Sequence, residues 1–456
     1  MYSLSKRLKL TAMIAMVLGA IAILIGFSNA PHSIQDVEQI LASQQAHHGQ
    51  GHDTHKAHQA VQTSHDSHHS GHQIHQDHNA HQKHLEHVLH QLSNKPWAAL
   101  YVAAFFFFMI ALGTLVFYAI QFAAQAGWSP VLFRVMEGIT AYLIPGGIIL
   151  FVILAASTVG HLNHIFVWAN PDAIDPNSEH YDALIAGKSA WLNGFGFLIR
   201  AAIYLAGWIF YRNKMVTFTK NQDENPEGNV WFKKSFKASA AFLVFFIYTE
   251  SMMSWDWIMS FDPHWFSTLF GWYVFASMFV SGITVIALVT IYLKSKGLLE
   301  YVNDSHIHDL AKFMFGISVF WTYLWFSQFL LIWYSNIPEE VTYYITRIED
   351  YNLPFFGMVV LNFVFPLLVL VNSDFKRINW FVIFTVIVIL CGHYLDIFNM
   401  VMPATVGKSW SIGISEIGSV LFFGGLFVLC IFKAISKSDL LASGNPFMGE
   451  SKRFHY

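Results

Sequence analysis

YTESMMSWDWIMSFDPHWFSTLFGW, residues 248–272, carries Glu250, Asp256 and Asp262 within thirteen positions of an otherwise apolar chain. How these carboxylates are read decides the fold. In a soluble domain they would mark a surface. This chain, however, is 55% hydrophobic, 17% aromatic and 12% charged, with a mean hydropathy of +0.44, outside the range of ordinary soluble domains. It reads as an all-α integral membrane protein. A charge at the centre of a membrane span costs about 2.5–3.5 kcal/mol on insertion scales, so one that persists faces the bundle interior, a partner or water.

Outward from this stretch, ten windows are apolar enough to cross the membrane, near 10–28, 97–125, 138–160, 190–212, 236–259, 266–293, 309–335, 353–372, 379–402 and 410–433. Each crossing of about 30 Å of hydrocarbon takes about 20 helical residues. With the N-terminus inside, the inner segments hold 19 Lys and Arg and the outer segments six, Arg200 lying within a span. Basic residues are retained on the cytoplasmic side, so both termini are expected there. Residues 1–30 also carry features of a secretory signal, with KRLK before an apolar run and SNA before Pro31. A proline directly after the cut disfavours cleavage, and an uncleaved anchor is the expectation.

The intervening segment, 31–95, is expected to be a periplasmic low-complexity loop. Residues 47–90 contain fifteen of the 24 histidines, and His69, His72, His75, His78, His81, His84, His87 and His90 recur at every third position. Such a repeat lines one face of a polyproline II helix but drifts around an α-helix. Three readings stand: a polar low-complexity insert, weak metal capture by imidazole, or a proton-collecting or pH-sensing role.

Depth along the spans orders the remaining ionisable groups. Glu250 lies about 18 Å past the inner end of its span and Asp256 about 9 Å farther out, at about 1.5 Å per residue. Asp262, before Pro263, is expected at the outer rim. Arg200, near the midplane of the preceding span, is the expected counter-ion of Glu250; a buried pair that only specifies packing is the competing reading. His393 and Asp396 are three apart on one helix face, and Glu416 enters the last span. His161 and His164 end the third span, as interfacial residues, quinone ligands or a proton exit. LIPGG at 143–147 and Pro366 are expected to bend their spans.

Topology divides the chain into an anchor (1–30), the histidine loop (31–95), a first four-helix bundle (96–265), a second (266–403), a last span (404–435) and a tail (436–456). Both bundles would end in a helix with acids toward the outer side, as parallel repeats do. Cys391 and Cys430 fall inside spans, excluding a disulfide framework, a CxxCH haem site and a cysteine-ligated cluster. His393 is the one deep histidine, so a b-type haem across the bundle is not expected.

The opening stretch, with WLNGFGFLIRAAIY (191–204), WFSQFLLIWYSNIPEE (325–340), GHYLDIFNMVMP (392–403) and SEIGSVLFFGG (415–425), resembles the NrfD-like (polysulfide reductase membrane subunit-like) family. The resemblance covers roughly residues 97–433 and is to the second such subunit, ActF, of alternative complex III, a quinol:cytochrome c oxidoreductase. It implies two four-helix bundles plus two peripheral helices. It also implies an NrfD-like quinol-binding paralogue, an iron-sulfur subunit, multihaem and monohaem cytochrome c subunits and a terminal cytochrome oxidase as partners. Haem c and iron-sulfur clusters would reside in those partners; this chain would bind no covalent cofactor, with quinone left open. The histidine loop departs from the family pattern. On this reading Glu250, Asp256, Asp262, Arg200, His393, Asp396 and Glu416 line proton routes; no catalytic residue and no nucleic-acid partner is expected. A structural docking subunit and a secondary transporter are the alternatives.

Overall fold

The computed structural model describes residues 2–48 and 70–456. Sixteen α-helices follow in chain order: α1 (Lys6–Ser28), α2 (Ile34–His48), α3 (Ser70–Ala123), α4 (Phe133–Thr140), α5 (Leu143–Thr158), α6 (Ala183–Lys188), α7 (Gly194–Glu224), α8 (Val230–Trp257), α9 (Phe270–Ser295), α10 (Asp304–Ser335), α11 (Pro338–Glu349), α12 (Asn352–Val359), α13 (Phe365–Leu370), α14 (Asn379–Thr405), α15 (Ile414–Ile435) and α16 (Met448–Arg453). No strand occurs among the described residues. Among these residues nine helical segments are long and apolar enough to cross a membrane, each matching one expected window.

The remaining window, 236–259, falls on α8, whose 28 residues supply the length but whose second half is diluted by Thr249, Glu250, Ser251, Ser254 and Asp256. It runs antiparallel along α7. Contacts step in opposite directions on the two helices, from Gln222 with Phe232 to Ser239 with Met215, Trp208 with Thr249 and Arg200 with Asp256.

Helices α3 and α9 form the centre: 89% of the most apolar stretch of each is buried, against 11% for α1. Over these stretches both are apolar all round, as a helix packed on every side must be. They cross on glycine. A Cβ on Gly113 would stand 2.2 Å from the Met278 carbonyl oxygen, and one on Gly282 would stand 2.5 Å from the Thr114 nitrogen. Helices α5, α7 and α8 gather on one side of this pair, and α10, α12, α13 and α14 on the other. Helix α15 lies against α3 and carries α1, with Gly19, Gly418 and Gly425 at backbone-to-backbone distances. Close approach through small residues is how helices associate where lipid removes the hydrophobic drive.

Two spans are interrupted beside the prolines expected to bend them. The third span breaks at Ala141–Tyr142, and Pro145 sits in the first turn of α5, where a missing N–H is unneeded. The eighth span widens into a π-turn over Val360–Val364 directly before Pro366, which relieves the carbonyl that the ring would strike. Helix α3 continues through Pro96, so residues 70–95 extend the second span rather than forming a separate loop. Histidines from His72 to His90 therefore lie on an α-helix, where a step of three turns by about 300° and winds them round the axis. His69 lies outside the described residues, as do the side chains of His72, His75, His78, His81 and His84. Val37 of α2 packs with Leu85 and Val88 of this extension.

The α2 end of the bundle also bears α6 and α11; the opposite end is laced by the C-terminal segment. There Ser451 Oγ donates to the Trp128 carbonyl at 2.6 Å, Asn303 Nδ2 donates to the Phe454 carbonyl at 2.5 Å, and the Tyr456 hydroxyl reaches His308 and Asp309.

Candidate buried carboxylate sites

Two aspartates, both fully buried, are held in closely similar ways. Asp256, at the end of α8, receives the Trp191 indole N–H at 2.8 Å and the Tyr204 hydroxyl at 3.2 Å. Asp396, on α14, receives the Trp321 indole N–H at 2.9 Å and the Tyr273 hydroxyl. Each is thus gripped by one indole and one phenol: Tyr204, Tyr273 and Trp321 come from α7, α9 and α10, and Trp191 from the turn before α7. The third partner differs. At Asp256 it is Arg200, whose Nε and Nη2 meet the two carboxylate oxygens at 2.7 and 3.0 Å while its guanidinium stacks on Trp191, 4.1 Å from the ring centre. At Asp396 it is His393, with Nδ1 3.5 Å from Oδ2.

Arg200 is therefore not the counter-ion of Glu250. Helix α7 begins at Gly194, which sets Arg200 about 9 Å from its end, level with the last turn of α8 rather than with Glu250. Bidentate geometry favours this pairing, because the planar guanidinium matches both carboxylate oxygens. Glu250 is 4% exposed, has no ion pair among the described residues, and its Oε1 has no hydrogen-bond partner. An ionised carboxylate there would stand uncompensated.

His393 sits in a polar pocket within an apolar wall. Its Nδ1 lies 2.9 Å from Ser277 Oγ, its ring meets Trp321 edge-on at 5.5 Å, and its Nε2 is buried without a partner. Asn362 Nδ2 reaches toward the same Nδ1, at 3.5 Å, from the π-turn. Gly392 makes this approach feasible, since a Cβ there would stand 2.0 Å from Asn362 Oδ1. A π-turn that aims one side chain into a buried polar site is a recurrent arrangement at functional positions. Trp321→Phe removes one of the donors to Asp396 and is expected to cost about 1–3 kcal/mol of stability, read by unfolding of the purified protein in detergent; an unchanged midpoint would remove the indole from this account.

The other expected residues separate from these clusters. Asp262 is half-buried and lines a cavity of about 230 Å³ at the α2 end together with Trp265, Tyr343 and Arg347. Arg347 is 4% exposed and lies over the Tyr343 ring at 3.3 Å, so it belongs to the interior rather than to an outer loop. Glu416 is buried in the first turn of α15; Oε2 accepts from the Gly413 N–H at 2.8 Å and Oε1 has no partner. It faces Tyr394 in an apolar cleft of about 840 Å³ between α1, α3, α9, α14 and α15, away from the ring of donors around Asp396. His161 is exposed, with a left-handed φ of 46°. The His164 backbone N–H donates to Asn94 Oδ1 at 2.9 Å, and its ring meets His90 edge-on at 4.4 Å. Partial burial and the neighbouring His161 hold the His164 imidazole below its ordinary pKa. Among the described residues no group of three or more His, Cys, Asp or Glu is arranged to hold a metal ion.

A further network, not anticipated from the sequence, closes the opposite end. Arg134 is buried in α4 and pairs with Glu137 and with Asp223 of α7. Glu137 Oε1 also accepts from the Tyr118 and Thr219 hydroxyls, at 2.7 and 2.6 Å. The i,i+3 spacing of Arg134 and Glu137 was the available signal, obscured because Arg134 reads as a loop charge between two spans.

Comparison of the chain with models of known protein families gives no match, and comparison with curated proteins gives none either.

Proposed function

We propose that this chain is a membrane subunit of a respiratory quinol:cytochrome c oxidoreductase of the alternative complex III type, carrying no redox centre itself. The observation that carries the chemical part is the unequal pair of buried aspartates. A carboxylate clamped by a fixed guanidinium is suited to holding helices together, whereas one beside an imidazole has a neighbour whose two ring nitrogens can both give and accept a proton. On this reading the two sides of the α3–α9 pair are two four-helix units, the first braced by Arg200–Asp256 and the second handling protons at His393–Asp396. Glu250 is a separate protonatable group within the first unit. The apolar cleft beside Tyr394 and Glu416 would admit an isoprenoid tail.

The chain would lie in a bacterial inner membrane with the α16 end cytoplasmic and the α2 end periplasmic. Haem c and iron-sulfur clusters would reside in partner subunits. Purification through a tag on this chain is expected to bring multihaem c-type cytochromes and quinol-dependent cytochrome c reduction; a solitary, haem-free protein would overturn the respiratory reading. Within the complex, Glu250→Gln is expected to lower turnover by about tenfold or more, in the range seen for lost proton-transfer groups. Full turnover with an unchanged proton-to-electron ratio would remove Glu250 from the route.

A docking role is the second reading. It is favoured by Trp333 and Tyr334 at the α2 end of α10, which are 63% and 84% exposed in the isolated chain.

A further inference from the structure

At the α16 end, α4, α5, α7 and α15 diverge around a cavity of about 410 Å³. Its polar side is lined by Arg134, Arg212, Lys220, Lys433 and Lys437, with Glu137 as the lining carboxylate. That carboxylate is already engaged by Arg134, Tyr118 and Thr219, and Asp223 takes the other arm of Arg134. Arg212 is met by neutral acceptors, the Thr140 hydroxyl and the Glu137 carbonyl, both at 3.2 Å, and Asn213 Oδ1 at 3.1 Å. Lys220, Lys433 and Lys437 have no carboxylate partner among the described residues. Arg134 Nε is buried without a hydrogen-bond partner. The cavity therefore concentrates positive charge and an unused donor in one place.

Its remaining wall is apolar, with Ala141, Ile144, Pro145 and Val216. From Ile144 the face continues up α5 through Ile148 and Val152, each 59% exposed, at the i+4 spacing that keeps them in one row. A free phosphate would use the charges alone; a glycerophospholipid would use both the charges and the row. We infer that this cavity binds the anionic headgroup of a membrane phospholipid, with an acyl chain laid along Ile144, Ile148 and Val152. Basic pockets between spans recognise such headgroups, and guanidinium with ammonium groups suits phosphate oxygens. The inference rests on the membrane-spanning reading and is independent of the respiratory one.

Native mass spectrometry of the full chain, purified in mild detergent with any partners it retains and then delipidated, tests it with dioleoyl phosphatidylglycerol, dioleoyl phosphatidylcholine and inorganic phosphate as probes. Phosphatidylglycerol is expected to be retained in preference to phosphatidylcholine. The triple variant K220Q/K433Q/K437Q is expected to bind it at least about tenfold more weakly, while K233Q/K234Q/K237Q, which removes three lysines of α8 that do not line the cavity, retains it. I148S/V152S is expected to weaken phosphatidylglycerol as well. Equal retention of both lipids, undiminished binding by the first triple variant, or displacement of the lipid by millimolar phosphate would each overturn the proposal, the last in favour of a free-anion site.

Discussion

Arg200→Leu is expected to lower the unfolding free energy by about 3–5 kcal/mol, the penalty for leaving one member of a buried ion pair without the other. Asp256 would keep the Trp191 and Tyr204 donors yet lose its cation in a site with no exposure. Adding Asp256→Asn removes the stranded charge, so the double variant is expected to regain a large part of the loss. Unfolding by denaturing detergent, followed through tryptophan fluorescence, reads both effects. If Arg200→Leu costs no more than about 1 kcal/mol, as a solvent-exposed pair would, water reaches the site and its bracing role fails.

Gly282→Leu is expected to have an effect at least as large, through sterics rather than charge. The atoms nearest an added Cβ are the Thr114 nitrogen and the Gly113 carbonyl carbon, at 2.5 and 2.6 Å. Backbone cannot rotate aside as a flexible side chain can, so α9 must part from α3 along the contact that both halves of the molecule share. Overpacking costs about 1–3 kcal/mol where side chains can yield, and here none is in a position to do so. The expected result is loss of the monodisperse folded protein on size exclusion, with Gly282→Ala already lowering the thermal midpoint. A Gly282→Ala protein as stable as the parent would mean that the crossing is looser than described.

Helix class and span positions were legible because twenty-residue apolar windows are set by bilayer thickness, a constraint local in sequence. The positions of Glu250, Asp256, His393 and Asp396 were legible for the same reason: charge is conspicuous against hydrocarbon. Partner choice was not. Whether Arg200 meets Glu250 or Asp256 depends on where α7 starts, and a shift of a few residues in that start changes the register by more than a turn. Trp191, Tyr204, Tyr273 and Trp321 were hidden because aromatic residues in a membrane span have ample reason to be there without a hydrogen bond. The π-turn that brings Asn362 to His393 could be suspected from Pro366, but its consequence required the facing helix. Burial of Arg134 and Arg347 was likewise invisible to a count that assigns every basic residue between spans to water.

The pairing of α1 with α15 bears on the order in which the molecule is completed. Roughly 390 residues separate the end of the first helix from the beginning of its partner. At synthesis rates of about 5–20 residues per second, α1 waits on the order of 20–80 s before α15 emerges. Throughout that interval its glycine-lined stripe has only lipid, or another protein's helix, to meet. The α1–α15 contact is thus made late in synthesis, and an insertion factor or neighbouring subunit that occupies the stripe early would have to yield it when α15 arrives.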